Sequence, residues 1–243
     1  MRIGVFDSGV GGLTVLKSLY EKYPNNEYFY IGDNKHMPYG NKTHKQLLKY
    51  ATTIIDYFIS IDIKIVVIGC NTICSNILDK LKNKYKNLIL IDVIDSTIKE
   101  FIRKNKNNVL ILATEKTIDS NVYENKIKKI NNNIKISNLK AISLVPIIEK
   151  DLDATNLIEE YLSNYKDIDS IILGCTHYKL IESLIPNDIT TINSSDGVVK
   201  DIKKYIKDGV KDINIYTTGD VEKFNKICYR LFKINAKQIT FNE

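Results

Sequence analysis

Short apolar runs recur along the chain and stop at polar positions near Asp7, Asp33, Cys70, Asp92, Thr114, Leu139, Cys175, Asn193 and Thr217. Runs that are apolar throughout, with no alternation, read as parallel strands buried on both faces. Between most of them the apolar positions return with helical period. Leu47, Leu48, Ala51, Ile54, Ile55 and Phe58 form one such stripe, and Leu157, Ile158, Tyr161 and Leu162 another. This alternation predicts an α/β fold with mostly parallel sheets. Two runs are near copies: Ile65-Val66-Val67-Ile68-Gly69-Cys70-Asn71-Thr72 and Ser170-Ile171-Ile172-Leu173-Gly174-Cys175-Thr176-His177. The repetition predicts two α/β halves across a shared cleft. The expected boundaries are 1–96 plus 208–243 for the first half and 97–207 for the second. Tyr216 to Asp220 reads as a strand entering a helix around Val221–Phe232, which returns the chain to the first half.

Composition narrows the function. The chain has 243 residues and a formal charge of +6. The basic residues are almost all lysine, since only Arg2, Arg103 and Arg230 are arginines. They interleave with Asn and Ile, so they read as solvated surface and not as a nucleic-acid stripe. No apolar stretch approaches the roughly 20 residues that span a bilayer. No signal peptide is visible after Met1, so a cytoplasmic protein with reduced thiols is expected. Four cysteines in a chain of this length are not a disulfide framework.

Ligands of open parallel sheets sit at the carboxyl ends of strands. Cys70 and Cys175 are therefore placed where a substrate would bind. A thiol acting as base or nucleophile needs a partner that favours the thiolate. His177 is the candidate for Cys175, with Glu149 able to orient it or to serve as an exposed helix charge. Asp7 can relay a proton for Cys70, contact an ammonium group, or satisfy local backbone N–H groups. Asp7-Ser8-Gly9-Val10-Gly11-Gly12 precedes a helix carrying Leu13, Leu16, Leu19 and Tyr20. Neither a dinucleotide fingerprint nor a P-loop fits, because Thr14 replaces the last glycine and no Gly-Lys-Ser/Thr follows. A small carboxylate is the better anion for that loop. Pro38-Tyr39-Gly40 reads as a rigid wall, and Asn71 and Thr72 as helix caps or carboxylate donors. Cys74 and Cys228 read as small core hydrophobes. Zinc spacing and a redox Cys-x-x-Cys are both missing.

Together these segments resemble the glutamate racemases of the aspartate/glutamate racemase family. The resemblance rests on Phe6 to Val15, on Ile31-Gly32-Asp33 with Pro38-Tyr39-Gly40, on Cys70-Asn71-Thr72, on Leu173 to Tyr178, and on Tyr216 to Asp220. It implies a racemase that uses no cofactor and no metal, acts on glutamate, and forms a homodimer without nucleic-acid or membrane partners. It implies Cys70 as the base toward D-glutamate, assisted by Asp7. It implies Cys175 as the base toward L-glutamate, assisted by His177 and Glu149. Implied substrate contacts are Asp7, Ser8, Pro38, Tyr39, Gly40, Asn71, Thr72, Thr114, Thr117, Thr176 and His177. The implied product, D-glutamate, feeds peptidoglycan synthesis. Departures from the family pattern are Ala113 before Thr114, Gly69, Ile73-Cys74, Lys179 and Asn193. Two alternatives stand beside this reading: a racemase of aspartate or a related acid, and a non-catalytic regulatory protein of the same fold.

Overall fold

A computed structural model describes residues 1–241. The first half opens with β1 (Arg2–Asp7), α1 (Leu13–Lys22), β2 (Glu27–Gly32), α2 (His44–Ser60), β3 (Ile65–Ile68), α3 (Asn71–Lys84), β4 (Ile89–Asp92) and α4 (Val93–Lys104). The second continues with β5 (Asn108–Ala113), α5 (Glu115–Asp119), α6 (Val122–Ile130), β6 (Lys135–Lys140), α7 (Leu144–Glu149), α8 (Thr155–Ser163), β7 (Ser170–Gly174), β8 (Thr190–Asn193) and α9 (Ser194–Ile202). The chain closes with β9 (Asp212–Thr217), α10 (Val221–Phe232) and β10 (Lys237–Gln238).

All strand pairs are parallel and form two sheets. One sheet has the order β10-β9-β2-β1-β3-β4, the other β6-β5-β7-β8. The α/β expectation with parallel sheets therefore describes the molecule. β9 returns beside β2 in the first sheet, but it spans Asp212–Thr217 and so begins and ends before the expected strand of Tyr216 to Asp220. The two-residue β10 went unpredicted because Lys237 and Gln238 are polar and exposed.

The burial patterns explain why these runs became strands. β3 and β7 are buried at every position, as central parallel strands require. β6 lies at an edge and is mostly open to solvent. In β5 the pleat divides the core. Val109, Ile111 and Ala113 join the large cluster shared with the first sheet. Leu110 and Leu112 face a second cluster with Leu144, Ile148, Ile171 and Tyr178. One continuous core therefore spans both sheets.

Helix ends follow local chemistry. Thr43 and Gln46 form a capping box at α2. Asp92, Asn193 and Asp220 cap α4, α9 and α10 through side-chain oxygens. Asn71 and Thr72 are not caps. They form the first turn of α3, with Cys70 at the cap position and no side-chain cap bond.

α4 and α9 occupy matching places after β4 and β8 and pack on each other. At their crossing the backbones nearly touch. A Cβ on Gly197 would lie 2.2 Å from the Ser96 carbonyl oxygen. Gly197→Ala should therefore lower stability by about 1–3 kcal/mol through overpacking. A urea midpoint equal to wild type would show that the crossing tolerates the methyl group.

Candidate active site

Each sheet has a point where consecutive connections leave in opposite directions. In the first sheet β2 lies on one side of β1 and β3 on the other. In the second, β6 and β7 flank β5 in the same way. Such divergence leaves a crevice at the carboxyl ends of the two central strands. Asp7 ends β1 and Cys70 follows β3, while Thr114 follows β5 and Cys175 follows β7. The near copies in the sequence are thus equivalent positions in two equivalent topologies. Both thiols line one cavity of about 450 Å³.

The second thiol has a complete charge chain. Cys175 Sγ lies 3.6 Å from His177 Nδ1. His177 Nε2 lies 2.7 Å from Glu149 Oε1. Burial alone would depress the imidazolium, but Cys175 and Glu149 outweigh it and hold His177 well above its ordinary value. Glu149 is the last residue of α7, and its side chain is 18% exposed. The reading of Glu149 as a free helix charge is therefore excluded.

The first thiol sits in a different field. Burial and, after it, the Asp7 charge push Cys70 up to about 12, against the opposing hydrogen bond to Ser8. Cys70 Sγ donates to Ser8 Oγ at 3.5 Å. Asp7 is itself raised by burial, with His177, Thr176 and the Ser8 and Gly12 N–H groups acting against the rise. Ser8 N–H donates to Asp7 Oδ1 at 2.7 Å, and Thr176 Oγ1 donates to Asp7 Oδ2 at 2.9 Å. This corrects the expectation for the glycine-rich loop. Its Ser8 and Gly12 amides hold the carboxylate of Asp7, not that of a ligand. Gly11 serves close approach, since a Cβ there would come 2.4 Å from His177 Nδ1.

Other expected residues gather at the same cavity. Ser8, Pro38, Tyr39, Gly40, Asn71 and Thr72 line it from the first half. Thr114, Glu149, Thr176 and His177 line it from the second. Tyr39 is held by donating its hydroxyl to Asp33, which also accepts from Thr218 at 2.6 Å. Tyr123 donates to Asn71 Oδ1 at 2.7 Å, which fixes the amide. Asn71 Nδ2 is buried with no hydrogen-bond partner. Thr117 departs from expectation. It is buried outside the cavity lining and accepts from Thr114 Oγ1 at 3.0 Å. Sequence reasoning missed Lys116, Lys150 and the apolar wall of Ile142, Val145 and Pro146. Glu115 also lines the cavity but pairs with Lys140. Among the described residues, Lys116 and Lys150 have no carboxylate within ion-pair distance, and no cluster suits a metal ion. No helix among them is long and apolar enough to cross a membrane.

The family model described as Asp/Glu/Hydantoin racemase matches residues 13–202. The chain belongs to this family. Glutamate racemase 1 of Caldanaerobacter subterraneus subsp. tengcongensis is 35% identical over 93% of this chain and 90% of that protein. The crystal structure of glutamate racemase from Francisella tularensis in complex with D-glutamate has a TM-score of 0.87 at 30% identity, covering 100% of this chain and 97% of that one. Picrophilus torridus aspartate racemase shares the fold, with a TM-score of 0.63 at 19% identity over 84% of this chain and 93% of its own.

Two departures from the family pattern form one electrostatic unit. Lys179 pairs with Glu182. Asn193 Nδ2 donates to Glu182 Oε1 at 3.0 Å, and Thr191 Oγ1 donates to the same oxygen at 2.7 Å. Burial raises Glu182, but these partners overcome it and hold the carboxyl below its usual value. An aspartate at 193 would set a second carboxylate against the first.

Replacing Glu149 tests the His177 chain. Glu149→Gln should lower the pH at which His177 loses its second proton, read by imidazole nitrogen NMR. Because the folded value is raised, the stability it contributes is fully present below the unfolded value of about 6.5. It is lost as pH rises through the folded value. Urea midpoints of wild type and variant should therefore converge at alkaline pH, and a pH-independent gap would refute the pairing.

Proposed function

We propose that this chain is a glutamate racemase that interconverts L- and D-glutamate without a cofactor, using Cys70 and Cys175 as its two bases. The observation that carries this reading is the placement of the thiols. Each follows the equivalent strand of a different parallel sheet, and both reach one cavity. Racemisation removes a weakly acidic Cα–H from one face and returns a proton to the other. A base on each face does this without moving the substrate.

Their unequal surroundings give each thiol a starting role. His177 and Glu149 supply positive charge and orientation beside Cys175, which favours that sulfur as the base toward L-glutamate. Cys70, pushed up to about 12, starts as the thiol that returns a proton and yields D-glutamate. The reverse reaction exchanges the roles. Each sulfur then stands roughly 3–3.5 Å from the α-carbon. The developing carbanion is stabilised through its carboxylate by preorganised donors. The unpartnered Asn71 Nδ2, with Thr72, supports that assignment, while Thr176, its hydroxyl given to Asp7, lines the cavity beside them. Ser8, Pro38, Tyr39, Gly40 and Thr114 complete the binding wall. Lys116 and Lys150 add positive charge suited to a substrate with two carboxylates. Thr117 acts by supporting Thr114.

The remaining assignments extend this reading. The two sheets are read as two domains, 1–96 plus 208–243 and 97–207, although the cut at 96 falls inside α4 (Val93–Lys104), which belongs whole to the first half. The protein works in the cytoplasm as a homodimer, and its D-glutamate enters peptidoglycan.

Cys70→Ser and Cys175→Ser should each lower racemisation by at least about 1,000-fold. Exchange of the α-hydrogen with solvent deuterium should survive on one enantiomer only, L-glutamate for Cys70→Ser and D-glutamate for Cys175→Ser. Full racemisation by either variant would rule out two bases. A faster rate on aspartate than on glutamate would reassign the substrate.

A further inference from the structure

Cys175 reaches a carboxylate through one intervening group, His177. Cys70 has a counterpart chain. Its Sγ–H points to Ser8 Oγ at 3.5 Å, and the Ser8 hydroxyl points to Asp7 Oδ1 at 3.4 Å. The other Asp7 oxygen is occupied by Thr176. Asp7 and Cys70 share no direct hydrogen bond among the described contacts, so Ser8 is the link between them.

We propose that Ser8 is the proton relay between Cys70 and Asp7, making Cys70-Ser8-Asp7 the functional counterpart of Cys175-His177-Glu149. The inference rests on the two-thiol racemase reading and adds a role to a residue otherwise assigned to substrate contact. The step balances without a co-reactant. The Cys70 S–H bond breaks as its proton passes to Ser8 Oγ. The original Ser8 O–H proton moves to Asp7 Oδ1. Cys70 is left as thiolate, Ser8 is unchanged, and Asp7 is a neutral acid. One negative charge has moved from oxygen to sulfur, and none has been created in the buried site.

The surroundings favour such a transfer. An ionised Asp7 beside Cys70 opposes formation of the thiolate, and protonating Asp7 removes that opposition. Burial already raises Asp7 toward its neutral form. The Ser8 backbone N–H holds Oδ1 at 2.7 Å, so the accepting oxygen is fixed relative to the hydroxyl. Ser8 is itself buried at 8% exposure, which keeps bulk water from replacing it freely.

Two measurements test the relay. In the first, α-deuterium exchange is followed on each enantiomer. Ser8→Ala should lower kcat for exchange of D-glutamate by at least about 30-fold more than that of L-glutamate, over and above any loss of binding shared by both. Ser8→Thr, which keeps the hydroxyl, should recover most of the rate. An equal rise in KM for both enantiomers with kcat retained would assign Ser8 to binding alone and overturn the relay. In the second, no glutamate is used. Alkylation of each cysteine by iodoacetamide is followed by peptide mass mapping. Ser8→Ala or Ser8→Gly should slow alkylation of Cys70 by about tenfold relative to Ser8→Thr, with Cys175 unaffected. Equal Cys70 rates would overturn the relay. Absence of exchange by wild type on either enantiomer would instead sink the glutamate reading, and the alkylation result would still decide the relay.

Discussion

A parallel sheet whose connections diverge leaves its strand ends open to one side, and everything at this site depends on that opening occurring twice. The crevice beside β1 and β3 presents Asp7 and Cys70. The crevice beside β5 and β7 presents Thr114 and Cys175. The continuous core between the sheets and the close contact of α4 with α9 turn the two openings toward a common cavity. The buried hydrogen bond from Thr176 to Asp7 then ties one opening to the other.

The two halves match in topology but not in charge. Cys175 faces an imidazole backed by a carboxylate, whereas Cys70 faces a hydroxyl backed by a carboxylate. An imidazole can carry a positive charge beside a thiolate, and a hydroxyl can only pass a proton along. In the proposed racemisation, the two directions of proton transfer therefore run on unequal machinery. Equality of the two directions is demanded only of the overall equilibrium, so the asymmetry costs nothing thermodynamically.

Some of the site was legible from local pattern and some was not. Mostly apolar runs ending in Gly-Cys marked the two strands, because a strand buried on both faces selects apolar side chains along most of its length. His177 stands two residues from Cys175, so its reach was a local matter. Glu149 was ambiguous because its helix is short and its partner lies far away in sequence. The glycine-rich loop misled for a related reason. Its Ser8 and Gly12 amides hold Asp7 at the end of the preceding strand, and Gly11 makes room for His177 and Thr176 of the other half.

What the sequence alone determined was the main parallel strands, β10 excepted, and the place of two thiols at strand ends, since both follow from periodicity and from motifs a few residues long. Tertiary structure decided which groups meet across the cleft. It removed Thr117 from the cavity wall, added Lys116 and the α7 wall, and oriented Asn71 through Tyr123. It also set the unequal proton affinities of the site, because desolvation and charge depend on neighbours that folding alone brings within a few ångströms.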